Sequence, residues 1–233
     1  MRTDLDHLPA AKQRELERVK AIIFEEFADS IALATMSWKK KGRIDKIILY
    51  GSYARGGWVD EPHTAKGYRS DFDLLIIVSD KRLIDKVDVW SKLDDRLTRE
   101  LLIDRTLKTP VNFIVHTLQE VNDGLAHGRY FFMDVARDGI ALYEADDKEL
   151  HQPKPKTPEQ ALAMAQEYFE EWFPAAMKRF GGAQYYREQG HFKDAAFDTH
   201  QAVERLYHCV LLVCTFYTPH MWTAPRLQGS SRI

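Results

Sequence analysis

Cysteine is scarce in this chain of 233 residues, and long apolar runs are absent. The two cysteines, Cys209 and Cys214, lie in one predicted helix and form neither a disulfide framework nor a metal-binding set, which indicates a reducing, cytoplasmic environment. No apolar run approaches the roughly 18 residues of a membrane-spanning helix. Residues 1–6 contain no apolar signal-peptide core. We therefore expect a cytoplasmic protein without a membrane partner.

The chain also lacks a charge excess of either sign. Its 33 lysines and arginines are balanced by 35 aspartates and glutamates, so the formal net charge is −2. A broad basic surface for nucleic acid is therefore not indicated. Hydrophobic residues make up 45% of the chain, which is enough to bury a core in one large or two small domains.

A glycine–serine turn follows the first predicted strand. Residues 47–50 form a short apolar run typical of a strand, and Gly51 and Ser52 come directly after it. Gly51 can adopt positive φ and lets the backbone approach a ligand closely. The amide and hydroxyl of Ser52, the first amides of a helix nearby and the guanidinium of Arg55 can then donate to phosphate oxygens. The turn predicts a polyphosphate-binding site.

Two carboxylates open the next predicted strand. Asp71 and Asp73 are two residues apart, so their side chains point to the same face, about 6.5–7 Å apart along the chain. Magnesium prefers such oxygen ligands, usually one or two carboxylates together with substrate phosphates. Residues 74–78 are apolar on both faces, as in a buried strand, which leaves the acids at its mouth. Either motif alone is weak; their order and strand context together predict a magnesium site beside the turn.

This arrangement resembles the prokaryotic nucleotidyltransferases of the DNA polymerase beta superfamily, and the matching positions are Gly51, Ser52, Gly56, Asp71 and Asp73. The resemblance covers about residues 20–145 and implies a mixed sheet with flanking helices. It also implies Mg²⁺-dependent transfer of a nucleoside monophosphate from an NTP, ATP foremost, with Asp71 and Asp73 as catalytic and metal-binding residues. The implied nucleotide-binding residues are Gly51, Ser52, Arg55 and Ser70. The connecting loop, residues 57–69, is longer than the minimal family form and reads either as a substrate-selecting lid or as a plain insertion.

The third carboxylate of that family is missing from its best-aligned position. Asn112 occupies it, on a predicted strand over residues 110–116. An asparagine can offer a metal its carbonyl oxygen, but it carries no charge and cannot act as a base. Three accounts stay open: nucleotide binding without turnover, replacement by another acid such as Asp104, or a ligand supplied by the substrate. His116 lies on the same strand face and could act as a base, although a half-buried structural histidine is the plainer interpretation.

Apolar spacing predicts helices over residues 9–34, 82–103 and 118–138, and a short strand over 140–143. With the strands above, these elements predict a nucleotidyltransferase domain over residues 1–146. A proline-rich segment, residues 147–158, reads as a linker.

The remaining residues, 159–233, predict an all-helical domain. One helix runs to about residue 179, with Gly181-Gly182 or Gly190 as its break, and an apolar, buried helix spans 191–216. Residues 194–205 resemble the second helix of HEPN domains. No helical pattern follows His220, so we expect an incomplete bundle that associates with a second copy of the chain. The arginine–histidine signature of HEPN ribonucleases is not present, which disfavours RNA cleavage.

The sequence thus favours an enzyme that moves a nucleoside monophosphate onto a hydroxyl of a small molecule or a protein. The alternative is a catalytically degenerate nucleotide-binding module, either a sensor or a partner of toxin–antitoxin type. The acceptor and the preferred base of the nucleotide are not specified by any motif.

Overall fold

The computed structural model describes residues 1–32, 34–60, 69–84, 87–146 and 148–218. Its strands are β1 (Ile44–Tyr50), β2 (Phe72–Val78), β3 (Val111–Thr117) and β4 (Ile140–Glu144). Its α-helices are α1 (Ala10–Ala32), α2 (Ser37–Lys40), α3 (Gly51–Arg55), α4 (Val87–Leu102), α5 (Leu118–Ala126), α6 (Tyr130–Asp138), α7 (Pro158–Glu188) and α8 (Phe192–Thr215). Within the described ranges, no helix is long and apolar enough to cross a membrane.

The strands form one mixed sheet in the order β3-β2-β1-β4. β1 pairs antiparallel with β2 and with β4, whereas β2 and β3 run parallel. Helices flank the sheet and a helical region follows it, so the predicted α+β class is confirmed at this level of detail.

The two central strands are buried because their sequences are apolar on both faces. Ile47 and Leu49 of β1, with Leu74 and Ile76 of β2, face a core that α1 and α4 complete. The opposite face of the sheet is also buried, since Ile48, Leu75 and Ile77 are inaccessible to solvent. Asp71 and Asp73 precede the fully buried apolar stretch of β2, residues 74–78, and therefore lie at the open end of this strand.

A buried carboxylate clamps α1 to α4. Glu100 accepts hydrogen bonds from the guanidinium of Arg18 and the hydroxyl of Thr106. The Arg18 interaction is the main cause that holds the pKa of Glu100 below its usual value. Arg96 on α4 reaches back to Glu25 and Glu26 on α1. These pairs fix the helix layer beneath the sheet.

The chain divides into two compact units, which include residues 1–122 and 135–150 in the first and residues 123–134 and 151–218 in the second. The single helix predicted over 118–138 is wrong, because α5 and α6 are separate helices. Gly128 between them adopts φ +63°, and a Cβ there would lie 2.6 Å from the carbonyl oxygen of Lys154. The backbone turns at this glycine instead of continuing the helix.

In the second unit, α7 and α8 pack against each other as a helical hairpin. Thr157 and Gln160 form a reciprocal capping box at the start of α7. Of the two predicted breaks, Gly181-Gly182 is wrong and Gly190 is confirmed, since α7 continues to Glu188 and Gly190 then adopts φ +77°. Gly182 faces Asp198 of α8, whose carboxylate oxygen would lie 2.7 Å from an added Cβ. This glycine therefore serves close helix packing rather than termination.

The predicted burial of α8 is also wrong for the described residues. Its buried positions are Ala195, Asp198, Ala202 and Cys209, whereas one side of the hairpin is apolar and exposed. This surface, called the apolar stripe below, consists of Leu162, Phe169, Phe173, Met177 and Phe180 of α7 and Val203, Leu206, Tyr207 and Val210 of α8. The segment after Thr218, on which the prediction of an incomplete bundle depends, lies outside the described residues.

Candidate functional site

The ends of three neighbouring strands bring the predicted site residues together. In the register of β2, Asp73 lies opposite Tyr50, the last residue of β1, and opposite Asn112 near the start of β3. Asp71 immediately precedes β2, and Gly51 begins α3 directly after β1. The antiparallel β1–β2 pair and the parallel β2–β3 pair thus gather residues separated by up to 61 positions in the chain.

Gly51 and Asp73 are in contact. Gly51 adopts φ +74°, a left-handed conformation that favours glycine. A Cβ added at this position would lie 2.4 Å from the Oδ2 atom of Asp73, closer than side-chain atoms approach each other. Position 51 therefore requires glycine for two separate reasons, its backbone angle and the space taken by the carboxylate.

The Asp73 carboxylate is electrostatically unfavourable where it stands. Burial raises the pKa of Asp73 from 3.8 to about 6, and the negative charge of Asp71 adds to the rise. The Asn112 amide and the Arg55 guanidinium act in the opposite direction without cancelling it. A half-buried anion beside a second anion would be stabilised by a cation placed between them.

Asn112 makes a direct contact with the acidic pair. Its Nδ2 atom donates to the Oδ2 atom of Asp71 at 2.8 Å. The register therefore places this residue next to both aspartates, at the position predicted for the third carboxylate. Its amide group faces Asp71 as a hydrogen-bond donor, and this contact partly compensates one of the two charges.

Ser52 and Arg55 lie on α3, next to the pair. Ser52 is half-buried in the first turn of the helix, and its carbonyl accepts from the amides of Gly56 and Gly57 near the helix end. Arg55 is exposed, and its positive charge reaches Asp73. Their predicted contacts with a nucleotide remain predictions.

Ser70 is buried and organises the chain before the pair. Its hydroxyl accepts from the amide of Val59 at 2.9 Å, and its own amide donates to the Val59 carbonyl at 2.8 Å. Next to it, Arg69 and Asp60 form an ion pair at 3.2 Å. These contacts close the base of the loop that the sequence predicts as a lid or an insertion. Residues 61–68 of that loop lie outside the described residues.

Two further residues considered from the sequence lie elsewhere. His116 is buried opposite Ile77, four residues along β2 from Asp73, or about 13 Å at the rise of a strand. Its Nδ1 atom lies 3.1 Å from the Glu120 carboxylate at the start of α5, so a role as base for the acidic pair is wrong. Asp104 is exposed after α4 and pairs with Arg99 at 3.6 Å. Among the described residues it does not form a three-carboxylate cluster with Asp71 and Asp73.

The two carboxylates at this end of the strands are the type of ligand that magnesium uses when phosphates supply the rest. Asn112 presents its N–H group, not its carbonyl oxygen, to Asp71, so its predicted role as a metal ligand stays a prediction. Among the described residues, no cluster of three or more histidine, cysteine, aspartate or glutamate side chains could hold a metal by itself. Any ion held here would therefore depend on a bound substrate for further ligands.

Comparison of the chain with family models, with curated proteins and with solved structures found no match. The functional interpretation consequently depends on the residues at these strand ends and on the contacts described above.

Proposed function

We propose that the protein is a nucleotidyltransferase, which transfers a nucleoside monophosphate from an Mg²⁺–NTP complex to a hydroxyl group. The observation that carries this proposal is the contact between Gly51 and Asp73 beside Asp71. It joins a positive-φ glycine turn to an acidic pair whose pKa shift reflects an uncompensated negative charge. A polyphosphate chelated to a dication complements both halves of such a site.

In the proposed reaction, the acceptor oxygen forms a bond to the α-phosphorus and the bond between that phosphorus and the α,β-bridging oxygen breaks. Pyrophosphate leaves, and the proton of the acceptor hydroxyl passes to solvent water. Mg²⁺ held by Asp71 and Asp73 would neutralise the phosphate charge and the charge that develops on the attacking and leaving oxygens. Asn112 orients Asp71 through its amide and has no group that could accept the proton.

In the proposed site, the protein's own residues mainly position the nucleotide. Gly51 and Ser52 would place backbone amides against the phosphates, and Arg55 would add a guanidinium whose planar fork matches phosphate oxygens. In the proposal, Ser70 keeps the start of β2 in place through Val59. The acceptor is a small molecule or a protein side chain, and ATP is the first nucleotide to test.

A second candidate, nucleotide binding without turnover, is favoured by one specific observation. Asn112 presents an N–H group to Asp71, where a third carboxylate would instead repel it. A site so arranged has one charge fewer with which to hold two metal ions. Such a protein would act as a sensor or as the partner of another protein.

A screen of the four NTPs with Mg²⁺ separates these functions. Release of pyrophosphate together with added mass on an acceptor or on the protein supports the transferase. Saturable NTP binding without pyrophosphate supports the binding module, and absence of Mg²⁺-dependent binding contradicts both. Asp73→Asn should abolish transfer, whereas Asp95→Asn, at an exposed position of α4, should leave it unchanged.

Two further proposals concern the oligomeric state and the cellular location of the protein. The apolar stripe of the α7–α8 hairpin supports association with a second copy of the chain, because a row of exposed large apolar side chains favours a partner. The resemblance of residues 194–205 to HEPN domains is part of the same proposal. A cytoplasmic location is proposed from the two free cysteines.

A further inference from the structure

α3 cannot satisfy its own carbonyl groups. A helix of five residues leaves the oxygens of its last turn without partners inside the helix. The Ser52 carbonyl accepts from the amides of Gly56 and Gly57, because Gly56 turns the chain at φ +79°. The next two carbonyls, of Tyr53 and Ala54, need donors from elsewhere in the protein.

The donors come from the residues before α1. The imidazole Nε2 of His7 lies 2.8 Å from the Tyr53 carbonyl oxygen, and the guanidinium Nη2 of Arg2 donates to the Ala54 oxygen at 2.8 Å. A carbonyl oxygen only accepts, so the Nε2 atom of His7 carries the hydrogen. The Arg2 cation is also favourably placed at the carboxyl end of a helix.

This N-terminal arm, residues 1–9, is itself fixed to the sheet. The Arg2 carbonyl accepts from the amide of Ala141 at 2.8 Å, and Arg2 bridges to Ile140 of β4. β4 pairs with β1, and β1 leads directly into Gly51. The arm therefore connects the edge of the sheet to the far end of α3, so that the helix is held at both ends.

The surroundings of His7 show that this hydrogen bond is its principal polar contact. Its other ring nitrogen, Nδ1, is inaccessible to solvent and has no hydrogen-bond partner among the described residues. The ring meets Trp58 edge-on, with centroids 6.4 Å apart, and Trp58 stacks on Tyr53 at 5.5 Å. Tyr53 in turn packs on Phe72, the residue between the two site aspartates.

A helix of one turn has little stability of its own, so external contacts decide where it lies. Because Gly51 touches Asp73, any displacement of α3 would change both the phosphate-binding turn and the position of that carboxylate. We propose that Arg2 and His7 are positioning residues, which hold α3 so that Gly51 and Ser52 face the polyphosphate. This inference rests on the proposed function for its substrate, though not for the tether itself.

The test compares full-length variants by hydrogen–deuterium exchange of residues 51–57 and by affinity for Mg²⁺–ATP. His7→Ala and Arg2→Ala should each accelerate exchange in this segment and weaken binding roughly fivefold or more, as expected for one lost hydrogen bond. His7→Gln and Arg2→Lys keep an N–H donor and should restore much of both properties. Arg14→Ala removes an exposed arginine of α1 and should change neither.

The possible outcomes separate the two ideas. Unchanged exchange in His7→Ala and Arg2→Ala would overturn the tether, whatever happens to the nucleotide. Faster exchange with unaltered Mg²⁺–ATP affinity would overturn the positioning role. If the wild-type protein binds no Mg²⁺–NTP while exchange still rises in both variants and recovers in the conservative ones, the proposed function fails and the tether is supported.

Discussion

The most direct test of the site concerns the cost of ionising Asp73. Its pKa is 3.8 in the unfolded chain and about 6 in the folded protein, since burial and the Asp71 charge oppose ionisation. A folded-state pKa above the unfolded value means that the protonated form stabilises the fold. This stabilisation is complete below pH 3.8 and is lost as the pH rises through about 6.

The magnitude follows from the two pKa values. Raising a pKa from 3.8 to about 6 corresponds to about 3 kcal/mol of lost folding free energy once Asp73 is fully ionised. Asp73→Asn removes this penalty while keeping the size of the side chain. Relative to wild type, the variant should gain about 2–3 kcal/mol between pH 4 and pH 7.5. The gain should develop mainly between about pH 4 and pH 6, the interval between the two pKa values.

Urea unfolding followed by circular dichroism, at several pH values, measures the difference. Asp95→Asn, at an exposed position of α4, serves as the control for removing one carboxylate. Mg²⁺ at pH 7.5 should stabilise the wild-type protein, since a bound cation offsets the repulsion, and should stabilise Asp73→Asn much less. A stability difference between wild type and Asp73→Asn that does not vary with pH would refute this account of the site.

Three other outcomes follow from particular contacts. Gly51→Ala should lower the free energy of unfolding, measured by denaturation, by about 1–3 kcal/mol and should abolish Mg²⁺–NTP binding, measured by titration. Gly57→Ala, where nothing lies within 4 Å of the added Cβ, should change neither quantity. Asn112→Asp should lower the free energy of unfolding without metal and raise the affinity for Mg²⁺, both measured by calorimetry. A lower Mg²⁺ affinity would contradict the proposed metal site. Phe173→Glu in the apolar stripe should lower the mass measured by light scattering, Ile103→Glu should not, and a wild-type monomer at micromolar concentration would exclude self-association.

Local sequence patterns predicted the elements where one structural requirement dominates. The apolar runs of β1 and β2 predicted buried strands, and the periodic apolar residues of α1 predicted a core-facing helix; both lie in the core. The predictions failed where a glycine had more than one possible use. Gly128 ends a helical pattern that looked continuous, and Gly182 continues one that looked interrupted, because the deciding atoms belong to Lys154 and Asp198.

In the candidate site, too, local sequence patterns predicted some features and not others. Gly51, Asp71 and Asp73 stood out because turn and strand chemistry are readable within about 20 residues, and strand order then placed Asn112 beside them. His116 lies four residues after Asn112 on the same strand, so the strand rise alone sets it far from the acids. Which residues of β2 lie beside Asn112 depends on the pairing register, which no single strand specifies.

By itself, the sequence determined where the strands and the first helix lie, and which residues have the chemistry to bind phosphate or a cation, because these properties depend on neighbours in the chain. Only the tertiary structure decided that the Gly51 position leaves no room for a Cβ beside Asp73, and that Arg2 and His7 complete α3. Those contacts join residues 46 and 52 positions apart at the tether. Tertiary packing decides which residues meet in these contacts, and no local sequence pattern predicts them.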